Sequence, residues 1–358
     1  MGPEHDQRAF VVGVGAVTAV GLSAASTAAA VRAGLNGFGQ HAFAVDSAGQ
    51  AFTVARCPFG DPDRAPAERI RELACGALQE ALEGVASIRG RGVRAPVFLG
   101  VGQSRPGCSV ERPMLESAFE QVVSDGGLRA AGVRLVQAGN AAGAMALLEA
   151  WQAILSGTEE LVVAGAVDSY LEPETLEWLE QRDQVHSAGS HNNPYGFVPG
   201  EGAAFVALVS ADAAQRWGLS DSMEIVAGSL AREPHGLGST QVCTGVGLTT
   251  LFRQLASRLD GSRADCLWTD MNGEPYRADD FGFASIRAGG WLADPSAFVT
   301  PADCCGDVGA ASGPLYVVLA EAACRKAYAT GPLHVVYTSS EAGERCGFVL
   351  RGAMPKAR

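Results

Sequence analysis

Short apolar runs and longer stretches of helical period alternate along this chain, with polar breaks between them. Residues 10–14 (Phe-Val-Val-Gly-Val) have the length and continuity of a buried strand. Gly15-Ala16-Val17-Thr18 turns away from it, and 23–34 follows as an Ala-rich helix. Over 66–83, Ile70, Leu73, Ala74, Ala77, Leu78 and Leu82 recur at helical spacing behind Pro66, which predicts an amphipathic helix. Residues 95–101 read as a strand, 141–155 as a long apolar helix, 161–167 as a strand ending at Asp168, and 202–208 as a further strand. A polar break spans 210–222. A second series follows: strands at 224–229 and 266–270 with a helix at 249–259 between them, a helix at 309–326, and a closing pair of strands at 334–338 and 348–350. Two successive sets of alternating strands and helices imply an α/β fold with helices packed on parallel-rich sheets. A duplicated half fits this order, although no sequence repeat is visible.

Composition narrows the class. A chain of 358 residues suits two or three average domains or one large α/β unit. Hydrophobic residues make up 47%, charged residues only 18%, and there are 45 Gly, which describes a large interior that needs no disulfide or metal staple. A net charge of −12 and a pI near 5.0 argue against nucleic acid and against anionic membrane surfaces. An acidic partner would need a local basic patch. The nine Cys are odd in number and scattered, with no CxxC pair and no zinc-like Cys/His spacing, so reduced thiols, no metal centre and a cytoplasmic location are expected. No cofactor is expected either. The uncharged stretch 9–31 is rich in Gly, Ala, Ser and Thr and is preceded by Glu4 and Asp6. A buried strand and a small-residue helix are expected there, rather than a signal peptide or a membrane span. Gly13 and Gly15 suggest a dinucleotide fingerprint, but Thr18 stands where its third Gly belongs and no acidic residue follows at the right distance.

Motifs carry the picture further. Asn193-Pro194-Tyr195-Gly196-Phe197-Val198-Pro199-Gly200-Glu201-Gly202-Ala203 resembles the "DGFVxGEGA" signature of β-ketoacyl synthases. The opening of the chain, down to Gly34 and Gly37, resembles that family's start, and Ser156-Gly157-Thr158-Glu159-Glu160-Leu161-Val162-Val163-Ala164-Gly165 resembles its "xGxxDxxLAGG". The resemblance covers about 10–350, strongly in the N-terminal half and poorly after Ala231. It implies a thiolase-like fold, a duplicated five-layered α-β-α-β-α sandwich, with halves at 1–215 and 216–358.

The family's condensing chemistry needs a Cys thiolate at a helix N-terminus and two His that stabilise enolate and oxyanion. Counting back from 156–165 places the nucleophile position at Asn140, in Gln137-Ala138-Gly139-Asn140-Ala141-Ala142-Gly143. Asn cannot form a thioester; its ordinary role there is a helix N-cap. The first His position corresponds to Asn272 in Asp270-Met271-Asn272-Gly273-Glu274-Pro275-Tyr276-Arg277, where Glu274 and Tyr276 stand at positions that would face the pantetheine arm. A Gly-Pro turn with surface Glu274 and Arg277 is the plain alternative. The second His position falls on Gly306 when Gly309-Ala310-Ala311 anchors the match; a shift of one residue offers Cys305 or Asp307. Cys304 and Cys305 are adjacent, and either could be a displaced nucleophile or a small core residue. The gating Phe corresponds to Glu341, and His235 in Pro234-His235-Gly236 is a loop His or a replacement base.

The resemblance therefore implies a ketosynthase-like protein without condensation activity. It would be a chain-length-factor-type subunit in fatty acid or polyketide biosynthesis, dimerising with itself or with an active ketosynthase. An acyl carrier protein is a further candidate partner. The competing expectations are a divergent enzyme, with Asn140 and Asn272 as an oxyanion pocket and Glu274, Asp307 or Glu341 as acid or base, and a homodimeric protein binding a polar ligand in the old pocket.

Overall fold

The structure is a computed structural model that describes residues 8–59, 64–108, 110–220 and 223–353. Twelve strands are present: β1 (Ala9–Thr18), β2 (Phe38–Val45), β3 (Ala51–Ala55), β4 (Arg94–Val101), β5 (Arg129–Gln137), β6 (Leu161–Ser169), β7 (Glu201–Ser210), β8 (Met223–Arg232), β9 (Cys266–Trp268), β10 (Phe298–Val299), β11 (Leu333–Ser339) and β12 (Glu344–Gly352). The helices are α1 (Ala24–Arg32), α2 (Pro66–Glu83), α3 (Arg112–Asp125), α4 (Ala142–Leu155), α5 (Pro173–Glu180), α6 (Ala211–Trp217), α7 (Val246–Ala256), α8 (Pro275–Ala288), α9 (Ala302–Cys305) and α10 (Ser312–Arg325).

Ten strands form one sheet in the order β10-β9-β11-β12-β8-β1-β7-β6-β4-β5. From its centre outward the same arrangement occurs twice. β1-β7-β6-β4-β5 and β8-β12-β11-β9-β10 each run antiparallel, antiparallel, parallel, parallel. The sheet is thus evenly mixed rather than parallel-rich, because each set ends in a β6–β7 or β11–β12 pair that returns against its neighbour. The two sets meet where Ala9–Val11 pairs with Met223–Ile225.

The helices fall into three layers. α2 and α3 cover the outside of the first strand set over a core that includes Leu73, Leu78, Leu99, Phe119 and Phe205. α7 and α8 cover the second over Leu251, Phe252, Phe281 and Tyr337. α4 and α10 lie between the two sets and pack on each other. α10 is buried throughout 312–324, and α4 is largely apolar, with Glu149 and the exposed Gln152 on its outer side. They approach closely because two glycines face the contact: a Cβ on Gly143 would sit 2.3 Å from the Ala310 carbonyl oxygen, and one on Gly313 2.8 Å from Ala144 Cβ. The result is the five-layered, thiolase-like sandwich. A hairpin of β2 and β3 packs with α5 and the 184–197 loop as a separate cap around Phe52, Val54, Tyr170, Leu176 and Phe197.

The stretch 210–222 holds α6, with Ser210 accepting from the Ala213 N–H as its N-cap. The helix expected at 249–259 starts earlier, at Val246. The one expected at 309–326 divides into a 3-10 turn, Gly309–Ala311, and α10. Among the described residues no helix is long and apolar enough to cross a membrane.

Candidate functional site

Two turns lead into the central helices, and each begins with a glycine in the left-handed region, Gly139 at φ 60° and Gly309 at φ 56°. The first, Gly139–Ala141, lifts Asn140 away from α4. Its side chain caps no helix: α4 has Ala141 as N-cap, without a side-chain bond. Instead Asn140 Nδ2 donates to both oxygens of Asp307, at 3.0 and 3.2 Å, and its Oδ1 accepts from the Tyr170 hydroxyl at 3.2 Å.

Asp307 is the hub. Asn272 Nδ2 donates to its Oδ2 at 2.6 Å and the Gly309 N–H to its Oδ1 at 2.8 Å. Asn272 also donates to Glu274 Oε2 at 3.0 Å, while the Glu274 N–H holds Asn272 Oδ1 at 3.1 Å. Arg277 then reaches Glu274 Oε2 at 3.0 Å, Asp270 Oδ2 at 2.7 Å and the Ser339 carbonyl at 2.9 Å. Gln184 bridges Glu274, at 3.0 Å, to Glu341, at 2.8 Å, and Arg182 meets Glu341 at 3.3 Å on the rim. Asn140, Asp270, Glu274, Arg277 and Asp307 are each no more than 5% exposed. Buried charges of this kind persist only when paired and bonded, as these are.

Electrostatics follow from the burial. Desolvation raises the Asp270 carboxyl to about 6, against the pull of Arg277 and Arg345. Desolvation also raises Asp307, with Arg277 and the Asn272 and Gly309 donors opposing. Burial disfavours the charged Arg277, but Tyr276, Asp270 and Glu274 outweigh it and keep the guanidinium charged. Beside the network, between Asp270, Asn272, Asp307 and Tyr316, the free volume is about 10 Å³, room for at most one water.

The structure brings together Asn140, Asn272, Glu274, Arg277, Asp307 and Glu341. Glu274 and Arg277 are buried members of the network rather than a surface pair, because α8 starts at Pro275 and turns Arg277 inward. Gly306 supplies no side chain, and none fits: its φ is 68°, and a Cβ would meet Ala55 Cβ and the Val198 carbonyl, both at 2.8 Å. That kink aims Asp307, not Gly306, at Asn140. Cys305 lies in the core, and burial pushes its thiol up to about 12, away from the thiolate form a nucleophile needs. Cys304 packs in the same core. His235 is half-buried in the loop after β8, and its ring takes no part in the network among the described residues. Tyr170 and Gln184 belong to the site although nothing in the pattern singles them out; both are isolated polar residues in apolar or loop context. Glu201, from the best-matched motif, is structural: it binds Arg69 and the Cys57 N–H and ties β7 to α2.

Among the described residues, one group has metal-ligand composition, Glu233, Cys243 and Asp280, with candidate atoms within 4.8 Å of one another. Arg345 already pairs with Asp280 at 2.7 Å and the Gly247 N–H with Glu233 at 2.7 Å, so a cation would have to displace an arginine.

Residues 127–214 match the family model for the β-ketoacyl synthase N-terminal domain. The chain is ketosynthase-like. Its fold matches a type II polyketide-synthase structure in which an acyl-carrier protein is in complex with its ketosynthase bound to the hexaketide, at 15% identity and a TM-score of 0.75, covering 97% of this chain and 99% of that one. The ishigamide ketosynthase/chain length factor matches at 18% identity and a TM-score of 0.70, over 97% and 99%. The ketosynthase from module 6 of the bacillaene synthase of Bacillus subtilis 168 matches at 13% and 0.76, over 98% and 73%. No curated protein sequence matches the chain. Within this ketosynthase-like frame, the cluster that joins the 139–141, 270–277 and 306–309 segments contains no thiol and no imidazole.

Proposed function

We propose that this protein is a non-condensing, ketosynthase-like subunit of fatty acid or polyketide assembly, and that it works paired with an active ketosynthase as a chain-length-factor-type partner. The observation that carries this reading is the closed network itself. Asn140, Asn272 and Asp307 satisfy one another, and the void beside Asn272 and Asp307 is only about 10 Å³. Thioester formation needs a thiolate, and enolate stabilisation needs a donor that is free for substrate; here both roles fall to side chains already engaged.

Pairing is supported by β5. It ends the ten-stranded sheet, runs nine residues and, among the described residues, pairs in the sheet only with β4, so one edge of its backbone is open to another strand. The fold likeness to a ketosynthase/chain length factor agrees with such a role. The alternative, a divergent enzyme or a homodimer holding a polar ligand, is favoured by the four buried charges at Asp270, Glu274, Arg277 and Asp307.

Native mass spectrometry of the protein alone and mixed with ketosynthases encoded near its gene separates the two. A one-to-one heterodimer is expected. A homodimer unchanged by every ketosynthase offered would defeat the partner reading and leave the polar-ligand one.

A further inference from the structure

The chain carries a net charge of −12, yet one groove on it is lined by three cations and no carboxylate. It runs between α1 and α10 and encloses about 470 Å³, inside the range of about 300–1,000 Å³ typical of ligand pockets. The floor is alanine. Ala25, Ala29 and Ala33 recur four residues apart along α1 and its C-cap and stand exposed on one face, and Ala322 of α10 completes the lining. The charge is gathered at one end. Arg32 closes α1, Arg325 closes α10 and Lys326 follows it. Arg32 stacks over the Tyr328 ring, 4.4 Å from its centroid, and that ring packs against the central core, so the guanidinium rests on a fixed platform. Arg325 donates to the buried Glu321 at 2.9 Å. Arg32 and Lys326 meet no carboxylate among the described residues. Helix C-termini attract cations by themselves, each end carrying roughly half a negative charge. The two ends offset about one of the three positive charges and Glu321 another, which leaves a surplus of about one.

We propose that this groove is a binding site for an amphiphilic monoanion, a medium-chain carboxylate. Its apolar chain lies along Ala25 and Ala29, and its head is held by Arg32 and Lys326. The surplus charge selects one negative head group, and a guanidinium beside an ammonium suits a carboxylate. The alanine floor selects an apolar body, because it offers surface to cover and no hydrogen bond to satisfy. The length follows from the helix rise: Ala25 to Ala33 spans about 12 Å, the extended length of roughly ten carbons. The groove is separate from the buried network. Asp307 and the Gly309 turn stand at the start of α10 and the groove at its end, about 20 Å along the helix. It owes nothing to the pairing proposed above, and its test reads neither partner nor oligomer.

The test uses the native full-length protein, with sodium decanoate as the probe in isothermal titration calorimetry. Saturable binding with a Kd on the order of 100 µM is expected. Decylamine, with the charge reversed, and acetate, without the chain, should bind at least about tenfold more weakly. Lys326 gives a second readout, because the chain has only one other lysine, Lys356. Decanoate should slow acetylation of Lys326 by an N-hydroxysuccinimide ester, followed by mass spectrometry, and leave Lys356 unchanged. Two variants remove the two halves of the site. Ala29→Trp fills the groove from an exposed position, and Lys326→Glu reverses the charge at the head. Each should weaken decanoate about tenfold with an unchanged circular dichroism spectrum. No saturable binding, equal binding of decylamine, equal protection of both lysines, or full affinity in both variants overturns the proposal. Should a variant not fold, selective protection of Lys326 in the native protein decides alone.

Discussion

The turns before α4 and α10 occupy equivalent places in the two strand sets, yet only one carries a polar side chain. Gly139-Asn140-Ala141 and Gly309-Ala310-Ala311 share the 3-10 form, the left-handed glycine and the apolar helix that follows. In the first, Asn140 sends its side chain across to Asp307. In the second, Ala310 offers only its N–H, which Asp168 accepts at 3.0 Å. The repeated backbone serves packing in both places, while the polar network sits where the repeat is broken.

Four experiments probe that contrast. The largest effect is expected from Arg277→Met. It strands Asp270 and Glu274 without the arginine both are paired with, and should cost about 3–5 kcal/mol in denaturant unfolding.

Next comes acid sensitivity. His334 in β11 stands where the equivalent strand β6 has Val162, and burial lowers its ring to about 4. The Trp268 Nε1–H donates to Nδ1 at 3.1 Å, so the neutral ring carries its proton on Nε2. A lowered value means stability that is present above the ordinary 6.5 and lost as pH falls towards 4, in all about 3 kcal/mol. Asp270, raised to about 6, works the other way, its contribution lost as pH rises through that value. His334→Gln should flatten the acid limb of stability against pH; an unchanged limb would remove His334 from the account.

Then Gly143→Ala should cost about 1–3 kcal/mol and more than Gly313→Ala, since its Cβ meets a backbone oxygen at 2.3 Å rather than a methyl at 2.8 Å. Equal costs would mean that α4 and α10 move apart freely. Smallest is Asn140→Ala, which makes the first turn resemble the second. It leaves the Tyr170 hydroxyl and one lone-pair site of Asp307 unpaired, for about 1–2 kcal/mol. Double-mutant cycles with Asn272→Ala should be non-additive, because both asparagines act on one carboxylate.

Much of the fold is legible in the chain. The helix over 66–83 is found at its predicted bounds, and the strands of the central sheet with continuous apolar runs are all present. What escaped was exposed or irregular. β5 is a half-exposed edge strand interrupted by Gly132, the β2–β3 hairpin carries no clean alternation, and α6 hides in a polar stretch. Of the three alternatives at 305–307, the spacing alone could not say which faces Asn140, because the kink at Gly306 changes the direction of the chain there.

The sequence by itself determined the alternating elements, the buried central helices and the residue types at 140, 272 and 307, because periodicity and motif spacing are local properties. Only the tertiary structure decided that Asn140 and Asp307, 167 residues apart, would share a hydrogen bond, that Glu274 and Arg277 would face inward, and that Cys305 would face the core. Those outcomes depend on how closely α4 and α10 approach and on which way a single glycine turns, and neither is written in the spacing of apolar residues.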